Sequence, residues 1–242
     1  MLIQKNTLPN ELLWDDQWLM YNQNPYFKPN FHILKIISQL FHHNLKNKKI
    51  LELGAGSGSD IVYLAKKGAV AYALDFSQKS LDSIKYWAKK KKVKVTAIKG
   101  DIQKLPFDAN TFDLVYSVGL MEHFQNTQPL LKQQMRIIRP GGFLIVDVPQ
   151  KYTCYTLAKH LRMRLGTHPF GWETEFSQND LTQLARKLGQ KPYCFYGREV
   201  DILNKIIPDL NSQLKHTILS FIEPLPIAPA ICLCIGLVIK KH

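Results

Sequence analysis

The residues best placed to do chemistry cluster in one stretch, Ile50-Leu51-Glu52-Leu53-Gly54-Ala55-Gly56-Ser57-Gly58-Ser59-Asp60. A short apolar run ends in glycines at every second position, and a helical pattern follows over 61–67. Glycine lets a backbone turn sharply or admits a ligand where a Cβ would intrude. The helix start beyond it offers free N–H groups and a partial positive charge, suited to a carboxylate or phosphate. This turn therefore predicts a site for an anionic or zwitterionic small molecule. Three acids recur at the ends of apolar runs: Glu52 in the first, Asp75 closing the second, Asp101 just after the third. One ligand lying across those ends could meet all three. Asp75 suits two vicinal ribose hydroxyls, Asp101 an exocyclic amine, and Glu52 a ligand ammonium, while the glycine turn leaves room for an amino-acid end. Read singly, each acid is equally a helix cap or a surface charge.

The elements that must position these residues follow from periodicity. Residues 31–41 read as an amphipathic helix through Ile33, Leu34, Ile37 and Leu40. Beyond the opening strand and its helix, Gly68 is a candidate C-terminal cap. Strands are predicted over 69–75, 93–98, 112–117, 143–148 and 191–196, with a last one over 230–239. Helices capped by Ser77 and by a Ser177–Asp180 capping box, and one over 130–138, alternate with them, and Pro140-Gly141-Gly142 reads as a turn. Alternating strands and helices predict an α/β fold: a doubly wound, mostly parallel sheet that binds its ligand beyond the strand carboxyl ends.

The chain's 242 residues and 45% hydrophobic content suffice for one domain with a sizeable core. We divide it into an N-terminal helical lid or cap (1–45), a ligand-binding core (46–149) and substrate-side insertions (150–176 and 198–229). Cys154, Cys194, Cys232 and Cys234 form no C-x-x-C pair and no metal-ligand spacing, so no metal is expected and a reducing cytoplasm is. The net charge is +13 with a pI near 9.5. Its basic residues look scattered in the sequence, and no nucleic-acid recognition module is visible; Lys89 to Lys92 reads as an exposed turn. Residues 1–10 lack the apolar core of a secretory signal. The apolar stretch 218–239 is broken by Glu223, Pro224, Pro226 and Pro229, which argues against a span and leaves a peripheral membrane contact open.

These motifs as a set resemble the class I S-adenosylmethionine-dependent methyltransferases, close to the small-molecule subgroup called type 11. The matching residues are Glu52-x-Gly54-x-Gly56-x-Gly58, Asp75-Phe76, Gly100-Asp101-Ile102, Phe112-Asp113-Leu114-Val115, Met121-Glu122-His123 and Arg139-Pro140-Gly141-Gly142. The resemblance is strong over about residues 45 to 150 and weak at the last strand. It implies S-adenosyl-L-methionine as cofactor and a seven-stranded sheet whose last strand is antiparallel. It implies that Gly54, Gly56 and Gly58 border the methionine and ribose, that Asp75 holds the ribose hydroxyls and that Phe76 packs on adenine. Asp101 would take the adenine amine with Ile102 beside the ring, and the Ser117 carbonyl the methionine ammonium. A nicotinamide dehydrogenase would need glycine where Ser59 stands.

For the acceptor, a hydroxyl would require a base, and His123 after the fourth strand is the candidate; the alternative is that it only holds its loop or the cofactor's methionine end. Trp14, Trp18 and Tyr21 fall at helical spacing and suggest either packing or a lid over the substrate. Tyr152, His168, Trp172, Glu173 and Glu175 are candidate pocket-wall residues or loop anchors. Tyr152 and Tyr155, with the basic Lys159, His160, Arg162 and Arg164, suggest an amphipathic cap tolerant of an acidic or lipid-like acceptor. The expected partner is a small-molecule acceptor. The alternatives are an RNA methyltransferase, against which no Asn-Pro-Pro-Tyr-type motif and no RNA-binding domain are visible, a protein methyltransferase, and a non-catalytic S-adenosylmethionine-binding module.

Overall fold

The computed structural model describes residues 14–16, 18, 26–165, 173–198 and 232–242. Helix α1 (Phe31–Leu40) starts where the Asn30 side chain accepts the Ile33 N–H, and it buries Ile33, Leu34 and Ile37 as the pattern predicts. Then come β1 (Lys49–Leu53), α2 (Ser59–Lys66), β2 (Val70–Asp75), α3 (Gln78–Lys91), β3 (Val95–Lys99) and β4 (Phe112–Val118). A 3-10 turn (Met121–His123) leads to α4 (Gln128–Ile137) and β5 (Ile138–Pro149). The order ends with α5 (Cys154–Arg164), α6 (Gln178–Lys187), β6 (Pro192–Arg198) and β7 (Cys234–Lys240).

The seven strands lie in the order β3-β2-β1-β4-β5-β7-β6. β1 pairs in parallel with β2 and β4, and β2 with β3, whereas β7 is antiparallel to β6. The expected doubly wound sheet with an antiparallel last strand is the fold observed. Parallel strands covered on both faces need continuous apolar sequence. Ile50, Leu51 and Leu53 of β1 and Phe112, Leu114, Val115 and Tyr116 of β4 are accordingly fully buried.

Two compact units emerge. The first comprises residues 1–118, 126–144 and 241–242; the second comprises 119–125 and 145–240. In the first, Ser77 caps α3 by accepting the Ser80 N–H, and Lys92 closes the helix in the left-handed conformation. Lys89 to Lys91 thus form the last helical turn, where an exposed loop was expected, because the helix continues until Lys92 turns it off. Pro140-Gly141-Gly142 is also no simple turn. β5 runs through it, with Gly141 donating to the Lys241 carbonyl and Lys241 donating to that of Gly142. A Cβ on Gly142 would meet the Asp113 carbonyl at 2.8 Å, so the close approach of backbones demands glycine. In the second unit the Ser177–Asp180 capping box opens α6 as read. Among the described residues no helix is long and apolar enough to cross a membrane.

Candidate cofactor-binding site

Register brings the sequence-predicted residues together. Leu53 lies level with Leu74 of β2 and Ser117 of β4, so the glycine turn leaves β1 beside the ends of both strands. Asp75 pairs with Lys99, the last residue of β3, which places Gly100-Asp101-Ile102 at the same edge. The backbone there is held by Gly54 donating to the Leu74 carbonyl at 2.9 Å and Gly100 donating to the Asp75 carbonyl at 3.0 Å.

Asp75 is the hinge of this arrangement. Its carboxylate accepts the Gly56 N–H at 3.0 Å on one oxygen and the Ser77 N–H at 2.9 Å on the other. It is buried, and burial raises its pKa against the hydrogen bonds that lower it. The Ser80 hydroxyl and the Phe76 N–H also favour its charged form. Gly54, Gly56 and Gly58 all have positive φ, at 63°, 52° and 74°. A Cβ on Gly58 would strike Ile84 of α3 at 2.5 Å, so close packing of the turn on that helix adds to the conformational demand.

Two serines hold the turn that sequence reasoning passed over. Ser80 Oγ donates to the Gly56 carbonyl at 2.7 Å and Ser83 Oγ to the Ser57 carbonyl at 3.0 Å. They sit three apart on the buried face of α3, and polar residues at core spacing were the available clue.

Glu52 is turned inward. Its Oε2 accepts the Ile61 N–H at 3.2 Å inside the first turns of α2. Burial first, and the nearby Asp60 charge second, push its pKa well above the ordinary carboxylate range. The Tyr116 hydroxyl, itself pushed up by burial and by Glu52, shares this enclosure. Glu52 therefore fastens the helix start. Asp101 is exposed, and its Oδ1 accepts the Gln103 N–H at 2.8 Å in a local turn; Ile102 is buried and Phe76 half-buried. The Ser117 hydroxyl is buried without a hydrogen-bond partner.

The N-terminal segment lies on the same loops. A Cβ on Gly56 would meet the Trp18 ring at 2.5 Å. Asp15 accepts from the Ser77 hydroxyl and from the Lys79 N–H at 3.5 Å. Trp18, which the sequence offered either as packing or as a lid, packs on the glycine turn; Trp14 is helical and half-buried.

The second unit gathers the remaining candidates. His123 is half-buried in the 3-10 turn, and its N–H donates to the Leu120 carbonyl at 3.3 Å. Beside it Glu122 is buried, and one of its carboxyl oxygens lacks a hydrogen-bond partner. Burial, with lesser contributions from the Glu173 and Asp147 charges, lifts its pKa to about 8. Lys159, a basic member of the amphipathic cap, is only 1% exposed and pairs with Glu173 at 2.9 Å and Glu175 at 2.5 Å. Burial alone would lower its pKa, but the hydrogen-bonded Glu175 and Glu173 hold it above the ordinary value. Between these two glutamates the Thr174 N–H donates to the Glu122 carbonyl at 2.9 Å. Tyr152, Arg162 and Arg164 are exposed, as is His160, which meets Glu175 at 3.1 Å. His168, Trp172, Tyr21, the Tyr155 side chain and the insertion 199–229 lie outside the described residues.

A glycine turn, a buried acid closing β2 and a further acid after β3, all at the carboxyl edge of a doubly wound sheet, define a nucleoside-binding α/β enzyme. The donor set fits a sulfonium nucleoside: Asp75 for a sugar diol, Asp101 for an amine, and the Ser117 row for an ammonium. Residues 51–146 match the family model described as a methyltransferase domain. The ubiquinone biosynthesis O-methyltransferase of Coxiella burnetii is 34% identical over 163 residues, covering 64% of this chain and 68% of the relative. The demethylmenaquinone methyltransferase of Corynebacterium glutamicum is 37% identical over 151 residues, covering 61% and 56%. An S-adenosylmethionine-dependent methyltransferase of Thermotoga maritima, described as a possible histamine N-methyltransferase, superposes with a TM-score of 0.66 at 18% identity, covering 96% of this chain and 99% of that one. The chain belongs to the class I S-adenosylmethionine-dependent methyltransferases of the type 11 kind. It is an enzyme that uses S-adenosyl-L-methionine to methylate a small molecule.

Proposed function

We propose that the acceptor is a hydroxyl group on a small quinone-type ring, with His123 as the base. The functions of two relatives, ubiquinone biosynthesis O-methylation and demethylmenaquinone methylation, support the ring; the first supports oxygen as the acceptor atom. The cofactor supplies a methyl made electrophilic by its sulfonium. The protein's part is to fix the donor, exclude water and remove a proton from the acceptor oxygen. Asp75 carries the reading of the donor site, because its two oxygens are already oriented by the Gly56 and Ser77 amides. Gly54, Gly56, Gly58, Phe76, Asp101, Ile102 and Ser117 complete that site. His123 ends the turn after β4 and is half-buried, and in this reading its imidazole takes the hydroxyl proton. Among the described residues Cys194, Cys232 and Cys234 form no disulfide, which suits a reducing, cytoplasmic setting.

Calorimetry with S-adenosylhomocysteine tests the donor site. Asp75→Ala should weaken binding by about tenfold or more, the loss expected when a charged hydrogen-bond acceptor is removed; unchanged affinity removes Asp75 from the site. Single-turnover transfer to a hydroxylated aromatic acceptor tests the base. His123→Ala should slow it by roughly a hundredfold, and a near-normal rate would leave His123 a loop residue.

A further inference from the structure

The charge of the first unit is sorted between the two ends of its strands. β1 to β4 run parallel, so their amino ends share one side, and α2 and α3 return the chain to that side. Lys46, Lys48 and Lys49 lead into β1 there, and Lys66 and Lys67 close α2. The run 89–92 closes α3, and Lys94 leads into β3. All of these except Lys48 and Lys91 are exposed. Backbone bonds from Asn47 to Gly68 and from Val70 to Lys48 hold the first two groups side by side. The acids preceding or starting β4 are Asp108 and Asp113, and Asp113 is buried against Arg139 and Lys48. Asp60, Asp75, Asp82 and Asp101 stand at the opposite, cofactor-binding side. Helix carboxyl ends attract lysine through their dipoles, which accounts for Lys66 and for Lys89 to Lys91. It does not account for Lys46, Lys49, Lys92 or Lys94, which lie outside the last helical turns.

We propose that this end of the first unit docks on an anionic lipid bilayer and recognises it by charge density alone. Nucleic acid shares the phosphate chemistry, but the residues present favour a lipid surface. Base edges and forked phosphate contacts call for arginine, and both arginines at this end are engaged. Arg136 donates to the Phe107 and Leu105 carbonyls, and Arg139 holds Asp113. Stacking on bases needs an open ring face, yet the Lys67 ammonium lies over Tyr63 and that of Lys90 over Tyr86. What remains is a field of ammonium groups from two strand starts and two helix ends, with Val70 exposed among them. A planar array of lipid phosphates meets such a spread of charges; a rod or single strand meets only a strip of it. The acids at the cofactor end are repelled by the same surface, so the unit docks in one orientation and keeps its cofactor loops in water.

Sedimentation of the full chain with vesicles of phosphatidylcholine, alone or mixed with phosphatidylglycerol, tests this. Partition onto the mixed vesicles should be at least about tenfold stronger and should fall as salt screens the field. The combination Lys66→Glu, Lys89→Glu and Lys94→Glu should lose that partition by at least about tenfold, while S-adenosylhomocysteine affinity stays at the wild-type value. The glutamine triple variant at the same positions should fall between the two and serves where the glutamate variant does not fold. Equal partition onto neutral and mixed vesicles, or full partition by a folded triple variant, overturns the proposal. So does displacement from mixed vesicles by a DNA duplex at equal phosphate concentration, which would make nucleic acid the partner.

Discussion

At the scale of single residues, Glu122 carries the clearest consequence. A carboxyl with a pKa near 8 is protonated at neutral pH, and its burial is tolerable because it is neutral. Asp147, Glu173 and Lys159 are the charged groups that act on it. The folded pKa lies above the ordinary 4.5, so the native state binds the extra proton. The stability this gives is complete below about pH 4.5 and is lost progressively as pH rises through about 8. Across that window the loss amounts to a few kcal/mol, at about 1.4 kcal/mol for each pK unit. Glu122→Gln keeps the shape and removes the titration. Denaturant unfolding across pH should find the variant close to wild type near pH 5 and more stable by about 2 kcal/mol or more near pH 9. A difference that does not change with pH would contradict the assignment.

At the scale of elements, the glycine turn, the start of α3 and the N-terminal segment behave as one assembly. Gly56 sits at φ 52° with its missing Cβ aimed at the Trp18 ring, and its carbonyl is held by Ser80. Gly56→Ala therefore meets two costs, a backbone cost of about 1–2 kcal/mol and a clash with the indole. Only the second depends on Trp18. In the Trp18→Ala background, Gly56→Ala should accordingly be less harmful, with a coupling of about 1 kcal/mol or more in a double-mutant cycle. The cycle is read by thermal unfolding and by S-adenosylhomocysteine affinity; strict additivity would mean that the indole does not rest on the turn. This assembly also marks the limit of what the sequence discloses. Strand–turn–helix order, the Ser77 cap and the acids at Asp75 and Asp101 were all legible, because each rests on local spacing. Trp18 meeting Gly56, Ser80 meeting the Gly56 carbonyl, and Lys159 meeting Glu173 join residues 14 or more positions apart. No periodicity encodes such contacts. Lys159 shows the cost: a lysine in a basic helix reads as solvated until its two glutamates are seen beside it. The bond from the Ile61 amide to Glu52 is of the same kind, joining a strand residue to the helix beyond the glycine turn.

At the scale of the molecule, the net charge of +13 includes a group of lysines that the sequence scatters and the first unit gathers at one end. The sequence distributes Lys46, Lys66, Lys89 and Lys94 over 49 positions, and the βα alternation folds them to one side of the first unit. Crowded like charges repel one another and tax the folded state, and salt with a screening length of about 10 Å at 0.1 M relieves that repulsion. Salt also weakens favourable pairs, but an exposed one such as Lys151–Asp180, at 3.7 Å, is worth only about 0–1 kcal/mol. Repulsion should dominate, so Tm should rise by a few degrees, roughly 1 kcal/mol, between low salt and about 0.2 M sodium chloride. Replacing Lys46, Lys49 and Lys94 by Gln removes charges that no helix dipole favours. That variant should melt higher than wild type at low salt and respond less to added salt. A wild-type Tm that falls on adding salt would show that attraction outweighs repulsion in this protein.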